Sequence, residues 1–489
     1  MAPEAIQYMA ISFSDIADHA SEGWDASMGP KPTPLIGVPR SLYQFLDDPV
    51  GVVLALRPYG DVTGVIADNP AFVVVFGPDR LREVLSNPAL FQHDETVFGG
   101  PEGSQLDKLR HAIVAINTTV HKRHRRLMMP AFQRSALDAY AADIATVGAA
   151  VLDRWPLSAE ARVDTLTREL ALCVAVRCFY GMDVLGGATE LGHLAAELVE
   201  TLTSPTTIMA PINLPGTPYR KAVNTADTLL GKLSELVAEK RARGPGDRDA
   251  LSLLVHSVDE DGSRLSDDEL IAEATTLFIA GHETIAMTLA WTIFLLERHP
   301  AELDRVLDEI EATVGQRAPT PEDLPRMPLT DRAIRESMRV LAPVPLLFLR
   351  ACAAEASVGG LRLPPKANVV VSPLAAHHDP SIYPNPRRFL PDRWIDFTPP
   401  PYTYLPYGGG PRTCVGATFA AQALRILLPM VLRRARFSLR DGARISRLTR
   451  ANILLFKHGL PMRLEPFDRQ PRPPGRVVGD IHELVELPG

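Results

Sequence analysis

Hydrophobic positions recur along this chain in two rhythms, and the helical one dominates. The longest helical run opens at Ser266-Asp267-Asp268-Glu269 and continues to about Arg298, just before His299-Pro300. Ser266 at the N-cap and Glu269 three residues on predict a capping box, with acids at the positive end of the helix dipole. About 32 residues at about 1.5 Å each make a helix on the order of 48 Å, enough to cross a whole domain. Residues 136–240 are also mostly helical by period, broken at 203–218, where Ile208-Met209-Ala210-Pro211-Ile212-Asn213-Leu214 reads as an apolar loop. A charged break follows at Arg243-Gly244-Pro245-Gly246-Asp247. Further helices are predicted over 79–85, from His121 through Met128 toward Phe132, over 329–338, and in the apolar run after Val415. The period of two predicts strands at 71–76, 357–363, 368–371, 452–456 and 462–464. Prolines make 343–350 extended and 383–394 irregular. Residues 87–117 show little periodicity, the mark of a functional or unstructured loop.

With 489 residues, 46% of them hydrophobic, the chain can bury a large core. A formal charge of −7 gives no global basic field, so no nucleic-acid partner is expected. Cys173, Cys178, Cys352 and Cys414 have neither disulfide-framework nor metal-site spacing, which fits a reducing, cytoplasmic setting. The N-terminal residues lack a basic region followed by an apolar core, so no signal peptide is expected. The longest nearly uncharged apolar stretch, 284–296, is short for a transmembrane anchor. Residues 1–28 are expected to be loosely ordered, and 29–37 to be a stiff proline-rich entry. Residues 29–466 form one domain in this reading, and 467–489 are a peripheral tail rich in proline and arginine. No internal repeat is visible.

The densest chemistry lies in Tyr407-Gly408-Gly409-Gly410-Pro411-Arg412-Thr413-Cys414-Val415-Gly416. Glycines let backbone approach something large and flat, while Arg412 and the following helix dipole favour a thiolate at Cys414. A thiolate in a cramped glycine loop suits axial ligation of haem iron; the plainer alternative is a buried, inert cysteine. His121 and Arg125 are four apart on one helix face, able to hold an anion or simply to face solvent. In the long helix, Ala280-Gly281 offers a flat face, and Glu283-Thr284 sets an acid and an alcohol where a core helix should be apolar. Alternatively Thr284 bonds back to its own helix and Glu283 faces water. Glu336 and Arg339, three apart, can make a surface pair.

Four elements in this order resemble the cytochrome P450 family: Ala280–Thr284, Glu336-Ser337-Met338-Arg339, Phe389-Leu390-Pro391-Asp392-Arg393-Trp394 and the Cys414 loop. The last is highly specific, and the resemblance covers nearly all of 30–466. It implies a mainly α fold with a small β region, a triangular helical prism with haem b between a long central helix and a proximal one. It implies Cys414 as the iron ligand, with Tyr407 and Gly416 in its loop, and His121, Arg125, Arg350 and Arg412 as propionate anchors. Glu336, Arg339 and Arg393 match a buried structural triad. Glu283 and Thr284 match the pair that delivers protons during oxygen activation. Two departures stand out: Tyr407 where the family usually has Phe, and Lys366 where it commonly has a turn glycine.

The activity implied is a monooxygenase acting on an apolar small molecule of fatty-acid, terpenoid or polyketide type. A haem-thiolate peroxygenase or isomerase, and a haem-based sensor or carrier, are the alternatives. Thr276, Val344, Leu347 and Leu454 are the expected pocket residues. No flavin- or nicotinamide-binding fingerprint is fused, so electrons from NAD(P)H must come through a ferredoxin- or flavodoxin-type donor. Lys122, Arg123, Arg126, Arg387 and Arg388 are the basic residues expected to face it. A monomer is expected.

Overall fold

The computed structural model describes residues 38–66, 69–93, 100–183, 188–209, 211–470 and 473–488. The expectations for residues 1–28 and for the proline-rich entry therefore lie outside the described residues. Helices α1 (Val38–Asp47) and α2 (Pro49–Leu56) lead into β1 (Val62–Gly64), β2 (Phe72–Val75), α3 (Gly77–Leu85) and β3 (Phe91–His93). A helical body follows: α4 (Thr118–Met128), α5 (Arg134–Leu152), the short β4 (Ala159–Arg162), α6 (Val163–Tyr180), α7 (Ala188–Leu202) and α8 (Pro205–Met209). It continues through α9 (Pro218–Arg243), α10 (Ala250–His256), α11 (Asp267–Arg298), α12 (Pro300–Val314) and α13 (Pro328–Val340). Then come β5 (Arg350–Cys352), β6 (Ala356–Val358), β7 (Leu361–Leu363), β8 (Asn368–Val371) and α14 (Pro373–His377). Helix α15 (Ala417–Arg434) precedes β9 (Ala435–Ser438), β10 (Ala443–Arg444), β11 (Arg447–Arg450), β12 (Ile453–Phe456), β13 (Pro461–Pro466) and β14 (Val477–Val478). The architecture is the expected mainly helical prism with minor β structure.

Helix α11 is the axis of the molecule. Ser266 accepts the Glu269 N–H and Glu269 accepts the Ser266 N–H, which closes the predicted capping box. Its C-terminal half is buried on all sides, from Ile285 through Leu296. It is apolar and long enough to cross a membrane, but 72% of its most apolar window is buried inside the protein, as in a core helix. It packs chiefly on α6, and Gly281 explains how closely. A Cβ there would collide with the Phe179 ring of α6. Gly281 was expected to open a face for a flat ligand; instead it admits a neighbouring helix.

A five-stranded sheet in the order β1-β2-β8-β5-β3 flanks the helical body. Strands β2 and β8, expected from their runs of valine, pair in parallel with Phe72 opposite Asn368, and both are buried throughout. The described parts of the segment 87–117 hold more regular structure than its lack of periodicity implied. It contributes β3 and a 3-10 turn at Leu106–His111 that buries Leu106 and Leu109. Residues 357–363 form a hairpin around Gly359-Gly360, and Lys366 takes a left-handed φ of 65° in the turn where a glycine is commoner.

The C-terminal segment departs most from expectation. Expected to be peripheral, it is built into the fold. Strand β14 pairs in parallel with β10, and Ile481, Leu484 and Val485 are fully buried. Gly479, at φ 125°, passes so near the Ile445 carbonyl that a Cβ would not fit. Glu483 bonds Arg447 at 3.0 Å, and Arg447 also grips Asp48 at the start of α2. The Glu486 N–H donates to the Arg387 carbonyl at 2.8 Å. Proline and charge content pointed away from packing, yet the apolar Val477, Ile481, Leu484 and Val485 among them are buried.

Candidate active site

Cys414 hangs on a loop whose shape depends on glycine. Gly408 (φ 73°) and Gly410 (φ 67°) are left-handed, and a Cβ on Gly410 would run into the Leu85 carbonyl at the end of α3. The Cys414 N–H donates to the Tyr407 carbonyl at 2.9 Å, pinning the cysteine under the turn. Helix α15 starts at Ala417 with Gly416 as its N-cap, so Cys414 precedes the helix by three residues and the dipole acts at some distance. The thiol is exposed at its surface yet closely surrounded by protein. Burial pushes it up, against the Gly416 N–H and the Arg125 charge, which pull it down. The expected thiolate is therefore not held by dipole and cation alone; coordination of a metal ion is what would stabilise it.

Above the loop, α4, β5 and the loop itself bring together the four predicted anchors. Arg125 donates to the Thr413 carbonyl at 2.6 Å. Arg412 donates to the carbonyls of Ile113 (3.2 Å) and Ile116 (2.7 Å) and to Asn117 Oδ1 (2.5 Å). Burial lowers Arg412 to about 10, while burial and the Arg412 charge lower Arg350 to about 9. Burial and the neighbouring cations lower His121 to about 4. Among the described residues no carboxylate pairs with any of the four, and Arg350 Nη1 is buried without a hydrogen-bond partner. A buried orphan donor costs about 1–3 kcal/mol, more when charged. Three guanidinium cations and a histidine crowded this way await anions, and the two carboxylates of a haem, with Cys414 Sγ for its iron, fit the set.

On α11, Ala280 is exposed although the helix around it is largely buried. The Thr284 hydroxyl does bond back to its own helix, donating to the Ala280 carbonyl at 3.2 Å, and its lone pairs stay available. Thr276, Thr288 and Thr292 make the same i−4 bond. Glu283 is half-buried rather than fully solvated. Arg168 of α6 grips it with both nitrogens at 2.8–3.1 Å. Burial opposes the Arg168 charge, but Glu283 outweighs it and raises the guanidinium above its usual range. Nothing in the sequence linked two residues 115 apart.

Behind the loop the triad is closed and dry. Arg339 donates to both Glu336 oxygens at 2.8–2.9 Å and to the carbonyls of His377, Pro386 and Arg388. Glu336 also accepts Arg393 Nε (3.2 Å), the Leu390 N–H (3.1 Å) and the Trp394 indole (3.0 Å). Both charges of the pair are fully buried, so the surface-pair alternative is excluded. The Trp394 indole is thus a working member of the cluster.

Other expectations need correction. Leu454 is fully buried, and its backbone bonds Trp291 and Pro343; strand alternation gives the more open face to Ile453 and Leu455. Leu347 packs beside the Gly408 position with Leu85 and Leu405, supporting the cysteine loop rather than lining a pocket above it. Thr276 and Val344 are half-buried. Of the five basic residues expected to meet a donor, Arg123 is engaged by Glu269, Arg126 by Asp259 and Arg387 by Glu486. The Tyr407 hydroxyl is buried and makes no hydrogen bond to Cys414 or to another described residue.

The chain matches a family model described as cytochrome P450 over residues 29–462. It is 30% identical over 444 residues to cyclooctatin synthase of Streptomyces melanosporofaciens, covering 87% of this chain and 93% of that protein. It is 28% identical over 460 residues to pentalenene oxygenase of Streptomyces avermitilis, covering 91% and 98%. Among solved structures, a retinoic acid-bound cyanobacterial CYP120A1 superposes with a TM-score of 0.78 at 24% identity, covering 90% of this chain and all of that one. A cytochrome P450DA haem domain does so with the same score at 22% identity.

Proposed function

The chain belongs to the cytochrome P450 family, and we propose that it is a monooxygenase that places one atom of O2 on an apolar small molecule. The observation that carries this reading is the intact acid–alcohol pair Glu283-Thr284 on α11, one helical turn beyond the exposed Ala280. When bound, haem would supply the site at which O2 is held and activated, with Cys414 as the electron-rich ligand that favours O–O scission. Each turnover takes up two electrons and two protons and releases water with the oxygenated product. Thr284 lies where its hydroxyl can donate one hydrogen bond and accept another, as a proton carrier must. Glu283 supplies protons from the outer side of the helix, at the cost of loosening its grip on Arg168. A peroxygenase or a haem-based carrier would have no use for this pair.

The substrate reading is an unsaturated, terpenoid-like skeleton. Relatives at 28% identity are named for pentalenene and for cyclooctat-9-en-7-ol, names built on unsaturated carbon skeletons. Of the expected pocket residues, the half-buried Val344 is apolar and the half-buried Thr276 spends its hydroxyl hydrogen on the Ala272 carbonyl. Electrons from NAD(P)H arrive through a separate ferredoxin- or flavodoxin-type protein, and the setting is cytoplasmic. Reconstitution with a donor system and a panel of terpenoid alkenes tests the whole reading. Thr284→Ala should lower the product formed per electron consumed at least severalfold. An unchanged ratio removes Thr284 from the proton path. Reduced, CO-bound protein lacking the red-shifted band of thiolate-ligated haem would overturn the assignment itself.

A further inference from the structure

One buried histidine takes no part in anything described so far. His93 ends β3, which runs antiparallel to β5, and it lies directly opposite Arg350. Paired residues in adjacent strands project from the same face, so the imidazole and the Arg350 guanidinium are neighbours. The backbone is fixed on both sides by one asparagine. The His93 N–H donates to Asn117 Oδ1 at 3.0 Å, and Asn117 Nδ2 donates to the His93 carbonyl at 2.9 Å. The same Oδ1 receives Arg412. Asn117 thus couples His93 to the cysteine loop.

The ring itself is 7% exposed. Its Nδ1 lies 2.6 Å from the Val114 carbonyl, and since a carbonyl only accepts, Nδ1 carries the hydrogen. Nε2 is left buried, with no partner among the described residues. Directly across the strand pair, Arg350 Nη1 is in the same condition. The flanking Phe348 ring, 5.7 Å from the imidazole, offers nothing polar to Nε2. Among the described residues, the charged or titratable groups of the cradle are Arg350, Arg412, Arg125 and His121, none of them a carboxylate. Two orphaned nitrogens on residues directly opposite each other across a strand pair, with the Arg412 charge near Arg350, call for a shared anionic acceptor.

We propose that His93 is a further ligand-binding residue of this cradle, donating from Nε2 to a carboxylate of the prosthetic group that Arg350 also holds. This rests on the haem reading above. The contact requires His93 to enter the complex as imidazolium, with Nδ1 on Val114 and Nε2 on the carboxylate. It adds to the anchors on α4 and the loop a contact from the edge of the five-stranded sheet, a place no motif marks.

The test uses the holoprotein as wild type, His93→Gln and His93→Arg, each loaded with ordinary haem or with haem dimethyl ester, whose carboxylates are masked. Haem transfer to excess apomyoglobin is timed. With ordinary haem, His93→Gln should lose the cofactor about tenfold faster than wild type or more, as loss of a charge-assisted bond requires, and His93→Arg should recover part of the difference. With the dimethyl ester, wild type and His93→Gln should release at rates within about twofold, since the partner of His93 is gone. Equal rates with ordinary haem, or the same acceleration with both cofactors, would overturn the proposal; the second result marks a structural histidine. Histidine 15N spectra of the ferrous CO-bound wild type read the contact without a substitution. They should show an imidazolium at His93 with ordinary haem and a neutral ring with the ester, and a neutral ring in both refutes it. If no variant shows thiolate-ligated haem by its CO spectrum, the family-based function fails instead, and the two failures are distinct.

Discussion

Replacing Arg339 by lysine keeps the charge and removes the planar fork. The guanidinium holds four acceptors at once: the Glu336 carboxylate through two bonds, and the carbonyls of His377, Pro386 and Arg388. All of this is buried at zero exposure for both charged side chains. An ammonium has three donors and cannot meet this planar set in one geometry. At least one bond to Glu336 and one or two carbonyls would then be left unpaired. Each buried orphan costs about 1–3 kcal/mol, and breaking a buried pair outright costs about 3–5 kcal/mol. Arg339→Lys should therefore lose about 3–5 kcal/mol, a large share of the 5–15 kcal/mol that usually holds a domain. Arg393 adds one bond to Glu336 at 3.2 Å, so Arg393→Lys should lose about 1–2 kcal/mol. Urea unfolding followed by tryptophan fluorescence measures both, because Trp394 donates its indole to Glu336. If Arg339→Lys shifts the unfolding free energy by less than about 1 kcal/mol, the donor-counting argument is wrong.

Arg168→Ala should destabilise by about 1–2 kcal/mol, between a surface and a buried pair because Arg168 is 34% exposed; exchanging the charges as Arg168→Glu with Glu283→Arg should restore more than half of it. Gly410→Ala places a Cβ against the Leu85 carbonyl at a left-handed φ, and should cost about 2 kcal/mol or more and lower haem content, whereas Gly442→Ala, with a similar φ and open space, should cost about 1 kcal/mol. Tyr407→Phe deletes a buried hydroxyl with no partner among the described residues and should stabilise the protein by about 1 kcal/mol in the same urea assay; a loss would mean the hydroxyl is bonded. His124 is fully buried between Glu273 (2.8 Å) and Glu269 (3.1 Å); burial lowers its affinity for a proton, but the two carboxylates outweigh burial and raise it. Its contribution is therefore complete below the unfolded value of about 6.5 and is lost as pH rises through the higher folded value. His124→Asn should flatten the fall in stability above about pH 6.5, and an unchanged profile would place the titration elsewhere.

How much of this was legible in the chain depended on the range of the interactions. Helix α11 was readable because its capping box and apolar period are local, and so was the Cys414 loop, whose glycines answer to backbone angles within ten residues. The paired strands β2 and β8 showed as valine runs, though not which strand each would find. What escaped was long-range. Arg168 reaches Glu283 and Asn117 joins Arg412 to His93 because the fold delivers them there, and no local pattern encodes such meetings. Gly281 shows the converse error, a small residue assigned to a ligand when a helix neighbour demanded it. Leu454 was misplaced for a simpler reason, since a shift of one residue in a strand exchanges its faces. The C-terminal segment was misjudged because composition averages over residues, and packing does not.

That C-terminal segment has a consequence for the order in which the molecule can be completed. Arg447 meets Asp48 across 399 residues of chain, and the contact is braced by Glu483, made later still. At about 5–20 residues per second on a ribosome, the start of α2 waits roughly 20–80 s for its partner to exist. Over that interval Asp48 can cap its own helix through Gly51 but cannot be anchored. Arg387, on the chain that the triad also grips, likewise waits for Glu486. The first helices of the described structure are therefore finished by residues translated 399 or more positions later, so that an early-made region stays provisional until a late-made one arrives.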